Sequence, residues 1–156
     1  MALKFSGKWL VLYPVVPDLV VVQDQLIGLL TEIGLAGDLL DNSGAYFATG
    51  KQFLSHICFL GCSPAIELEP QSDQVFCYVQ VPESGQPLSV LSTGNAFKVR
   101  RKSVLSARTA VIIGNIYESE AVPESALLAG LEAATGSVWR YAYVSTADVV
   151  TATTAD

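Results

Sequence analysis

"ARTAVIIGNI", residues 107–116, is the stretch on which the fold turns. Val111, Ile112 and Ile113 follow one another without a polar residue between them. A strand with one wet face alternates apolar and polar positions, whereas an unbroken apolar run needs cover on both faces. The stretch therefore predicts a central strand, and the rest of the chain must supply its neighbours and its two covering layers.

Neighbours are available on both sides. "AIELE" (65–69) alternates Ile66 and Leu68 against Glu67 and Glu69, "QVFCYVQV" (74–81) continues the style after the turn "PQSD", and the pair predicts a hairpin. "LSVL" (88–91) and "AFKVRRKSVL" (96–105) predict two more strands, "WLVLYPVV" (9–16) the first strand and "VWRYAYV" (138–144) the last. Cover comes from two periodic segments. Leu19, Val22, Leu26, Leu29, Leu30 and Ile33 recur at three- and four-residue steps after Pro17 and Asp18, predicting a helix capped by Asp18 and stopped by Gly34. Leu127, Leu128, Leu131 and Ala134 do the same between Pro123 and Gly136. A shorter helix over about residues 50–60 follows from the capping-box spacing of Thr49 and Gln52 and the stops Gly61 and Pro64. "LAGDLLDNSGAY" (35–46) reads as a loop, and residues 146–156 as a loose tail or short cap.

Strands grouped between helices indicate one α+β domain over residues 1–156: a single mixed or antiparallel sheet covered by helices. A ferredoxin-like core carrying an added helix and hairpin is one topology that fits. A chain of 156 residues buries about 70% of its unfolded surface, enough for a core without staples. Hydrophobic residues make up 51% and charged residues 15%, below the usual share of about 25%. Apolar surface is then left over, which favours a homo-oligomer. A net charge of −6 opposes phosphate backbones and anionic membranes, so general nucleic-acid binding and membrane association are disfavoured. Pro14, Pro17 and Asp18 interrupt the first apolar run, which excludes it as a signal-peptide core, and three cysteines without a framework suit a reducing, cytoplasmic setting.

The candidate sites are few. "KQFLSHICFLGCSP" (51–64) holds His56, the chain's only histidine, with Cys58 and Cys62. On a helix His56 and Cys58 diverge by about 160°, and H-x-C-x₃-C matches none of the usual zinc spacings. No metal and no cofactor is expected, and Cys77 reads as strand core. His56, at the edge of an apolar helix face, is the one weak catalytic candidate. "GAYFATGKQ" (44–52) lacks phosphate-loop spacing and leaves at most an anion contact at Lys51. Lys98, Arg100 and Lys102 share a strand face, a basic ridge able to meet a small anionic ligand or to deter edge pairing. Glu118 and Glu120 leave the apolar strand towards the third helix, placed to hold a cation or to favour its dipole. Trp139, Tyr141 and Tyr143 alternate on the last strand, as Trp9 and Tyr13 do on the first. With Val138, Ala142 and Val144 packed under the helices, the aromatic face would look outward as a ligand or protein interface. The sequence thus favours a non-enzymatic, self-associating binding module. The alternative is a small enzyme or anion-binding domain using His56 or the Glu118/Glu120 loop with the ridge at 98–102.

Overall fold

The computed structural model describes residues 6–41, 45–60, 68, 70, 75–83, 85, 88–94, 103–117 and 120–151. It is a mixed α/β structure with few helices, and each described strand pairing is antiparallel. In chain order the elements are β1 (Lys8–Pro14), α1 (Gln23–Glu32), β2 (Ala36–Asp41), β3 (Tyr46–Thr49), α2 (Phe53–His56) and β4 (Ile57–Phe59). There follow β5 (Tyr78–Gln80), β6 (Leu88–Gly94), β7 (Ser103–Ala107), β8 (Val111–Gly114), β9 (Ala121–Pro123), α3 (Ser125–Thr135) and β10 (Trp139–Thr151). Eight strands form one sheet in the order β2-β3-β5-β8-β1-β10-β6-β7, and β4 pairs with β9 apart from it.

The unbroken apolar run is a central strand with both faces covered. β8 lies between β5 and β1, and all four of its residues are buried. Val111 and Ile113 join Leu10 and Leu12 of β1 in the larger core, with Leu26 and Leu30 of α1, Phe53 of α2, and Leu127 and Leu131 of α3. All three helices thus cover one face. Ile112 points the other way, into a smaller cluster with Val11, Ala107, Ala110, Ala142 and Val144.

Five element boundaries differ from expectation, three of them through a hydrogen bond from a distant segment and two through strand pairing in the main sheet. α1 begins at Gln23 with Val22 as its N-cap, not at Asp18. The buried Thr109 hydroxyl accepts from Val21 N–H and donates to Leu19 C=O, both at 3.0 Å, which holds that segment extended. The second helix stops at His56 because Cys58 and its neighbours pair with β9, while Leu60 N–H reaches Glu120 C=O at 3.0 Å. The same pairing places Pro123 opposite Ile57, so α3 starts at Ser125 and the N–H of Glu124 donates to His56 C=O at 2.7 Å. Ala36–Asp41, expected as loop, is an edge strand with an irregular register against β3, a position that tolerates its Gly and Asp residues. Where a loose tail was expected, β10 runs on to Thr151 and pairs with β6, shifting register between Val144 and Val149. The expected hairpin strand at 65–69 lies outside the described residues except at Leu68.

Candidate functional site

Alternation places Trp139, Tyr141 and Tyr143 on one face of β10, and the strand register decides which. Tyr143 stands opposite Leu10 and Tyr141 opposite Leu12, so the aromatic row faces the helices. Trp139 and Tyr143 are buried, at 2% and 1% exposure. The Trp139 indole N–H donates to Thr135 Oγ1 at 2.8 Å and the Tyr143 hydroxyl to Ala121 C=O at 2.6 Å. Tyr141 meets Tyr143 edge-on, with centroids 5.9 Å apart. The expected outward orientation is therefore reversed. Large rings lose the most by staying wet, the helix layer is where such volume can be buried, and the smaller Ala142 and Val144 go to the opposite face. Tyr143→Phe is expected to cost about 1–3 kcal/mol, since it strands a buried carbonyl; a urea midpoint equal to that of the wild type would count against this bond.

Trp9 and Tyr13 do not join that row. They flank Val11 on the opposite face, half-buried, where Trp9 stands across Gly114 from Tyr78. The Trp9 indole lies beside the Tyr78 phenol and favours its ionised form, against the larger effect of burial, and Tyr46 packs edge-on against Tyr78 at 5.3 Å. Burial pushes the phenols of Tyr78 and Tyr13 above their ordinary value.

Among the described residues the titratable candidates do not assemble. His56 Nε2 lies 2.8 Å from Ile33 C=O. A carbonyl only accepts, so Nε2 carries the proton and the ring ties α2 to the end of α1. Cys58 pairs across to Val122 on β9, and its thiol lies 3.9 Å from Phe59 C=O. Cys77 is fully buried in the larger core, and burial pushes its thiol far above the ordinary value. Among the described residues no group of three or more His, Cys, Asp or Glu side chains could hold a metal ion. Glu120 accepts from Tyr117 N–H at 3.1 Å. Cys62, Glu118 and the ridge of Lys98, Arg100 and Lys102 lie outside the described residues. Lys51 is exposed ahead of a helix of only four residues.

Two other surface features are associated with α1 and α3. A half-open groove of about 400 Å³ runs between α1 and the end of α3, lined by Val21, Gln25, Leu26, Leu29, Glu32 and Thr135 among others. Beyond the start of α1 and the end of α3 stand Val15, Val16, Val20, Val22 and Val138, each between 38% and 62% exposed. Val15 N–H donates to Val138 C=O at 2.9 Å and Thr109 clamps Leu19–Val21, so two separate segments are held in place. A signal for this was present in "VVPDLVVV" (15–22): five valines in eight residues suit a helix start poorly, because β-branched side chains are stiff there.

No protein-family model matches the chain, and neither do any curated proteins or solved structures. No described helix is long and apolar enough to cross a membrane.

Proposed function

We propose that the chain is a non-enzymatic interaction module that self-associates through its exposed valines. One observation carries this reading: Val15, Val16, Val20, Val22 and Val138 stay wet on segments fixed by hydrogen bonds. Apolar area left in water forgoes about 25 cal/mol per Å², and a persistent apolar patch marks an interface. Asp18, the one charge within 15–22, is almost fully exposed with Arg108 3.9 Å away, so a partner can dock without burying it. The enzyme alternative draws no support from His56, whose ring is committed to Ile33. A cytoplasmic setting accords with Cys77 serving as an apolar filler.

The same reading includes a ferredoxin-like core. The adjacent strands β10-β1-β8-β5 alternate in direction, and α1 follows β1 as α3 follows β8, which is the order such a core requires. β2, β3, β6 and β7 then extend it at either side.

Native mass spectrometry tests the assembly. The wild-type protein is expected as a defined oligomer, and a Val20→Asp, Val22→Asp double variant as a single chain that still unfolds cooperatively. A wild-type protein that is monomeric at micromolar concentration, or a variant that keeps the wild-type mass, would retire the reading.

A further inference from the structure

We infer that the groove between α1 and α3 receives a basic, apolar-faced segment of a partner protein. The inference rests on the chain being an interaction module but not on its self-association.

The walls supply the apolar half. Val21, Leu26, Leu29 and Ala134 line the groove, and so does Gly28 in the middle of α1. A Cβ built on Gly28 would meet nothing within 4 Å, so packing inside the chain does not require a glycine there. Glycine weakens a helix interior, and here it leaves bare backbone that another chain can approach closely.

The charges supply the other half. α1 (QDQLIGLLTE) and α3 (SALLAGLEAAT) carry Asp24, Glu32 and Glu132 and no basic residue. Glu32 lines the groove in the last turn of α1, where the helix dipole disfavours an anion. The last turn of α3, which brings Thr135 to the same groove, has no basic residue either. The side chains of Gln25 and Glu32 make no hydrogen bond or ion pair with another described residue, whereas the Thr135 hydroxyl is taken by Leu131 C=O and the Trp139 indole. A second copy of this chain would bring the same acids against these, which costs affinity. The complementary occupant is a helical segment with leucine-like side chains on one face and Lys or Arg placed to reach Glu32.

The probe is a labelled peptide of about 15 residues, leucine on one face and lysine on the other, with a leucine/glutamate peptide as control. Fluorescence anisotropy on the full chain is expected to show binding of the lysine peptide only, weakening as salt rises. Glu32→Gln should weaken it about three- to fivefold, as for an exposed ion pair. Gly28→Leu, a good helix former that fills the groove, should abolish it while leaving the number of chains in the oligomer unchanged and the thermal midpoint no lower than that of the wild type. Equal binding of both peptides, no binding of the lysine peptide, or unchanged affinity in Gly28→Leu would overturn the inference. So would a change in the number of chains in the Gly28→Leu oligomer, which would make the groove part of the self-contact. Failure of the valine variants to change the mass bears on self-association alone.

Discussion

Gly50→Ala is expected to destabilise the fold by about 3–5 kcal/mol. A Cβ on Gly50 would press on the Gly34 carbonyl, 2.6 Å from its carbon, and stand 2.9 Å from the oxygen of Ala36. Each of these atoms is backbone, so no side chain can swing aside. The two loops that meet here are also bonded to each other. Gly50 N–H donates to Leu35 C=O and Gln52 N–H to Gly34 C=O, both at 2.9 Å. Moving them apart breaks this pair, at about 1 kcal/mol for each bond, and adds overpacking strain of about 1–3 kcal/mol. A loss of about 3–5 kcal/mol is a large part of the 5–15 kcal/mol that holds a typical domain together. Urea unfolding followed by tryptophan fluorescence reads it, since Trp139 is buried beneath the helices. Gly130→Ala is the control: its Cβ meets nothing within 4 Å, so α3 should gain up to about 1 kcal/mol. A Gly50→Ala midpoint within experimental error of the wild type would mean the two loops do not meet as described.

That contact was hidden from sequence reasoning, and the reason generalises. Local signals were legible where the side chains on one element decide the matter. The unbroken Val111–Ile113 run marked a strand with two covered faces, the leucine spacing marked α1 and α3, and Gly136 marked where α3 ends. Signals failed where a distant group overrides them. The Pro17–Asp18 helix start is a sound local reading, but Thr109, 90 residues from Leu19, holds the chain extended until Gln23. Residues 57–59 continue a helical run by composition, yet β9 offers them a ladder. The aromatic row shows a subtler limit. Alternation separates two faces of a strand but carries no sign, so Trp139, Tyr141 and Tyr143 could be grouped while their direction could not be told. Sign came from the β1 register and from where α1 and α3 sit. The groove combines residues over a hundred positions apart and has no local signature.

Gly114→Ala is expected to cost 3 kcal/mol or more, for a different reason from Gly50. Its Cβ would fall inside the ring of Tyr78, which lies flat across the β8 backbone. A ring can move, so the question is whether this one has anywhere to go. Tyr46 packs on it edge-on, the Trp9 indole lies beside its hydroxyl, and Tyr78 itself is only 1% exposed. Displacing it forfeits the ring contact and most of the buried area, the scale of loss seen when a large aromatic is removed from a core, about 3–5 kcal/mol. A double-mutant cycle separates the clash from any other effect of the alanine. Tyr78→Ala should be destabilising alone, and adding Gly114→Ala to it should cost little, giving a coupling of about 2–3 kcal/mol. Additive costs would show that the ring does not cover Gly114. Alkaline titration gives an independent reading of the same ring. Burial raises the Tyr78 phenol above its ordinary 10.0. Above that pH the unfolded chain gives up the proton while the folded chain retains it, so stability present below pH 10.0 falls as pH rises. Tyr78→Phe should therefore flatten the alkaline decline, leaving the smaller shares of Tyr13 and Tyr46, whose phenols burial also raises.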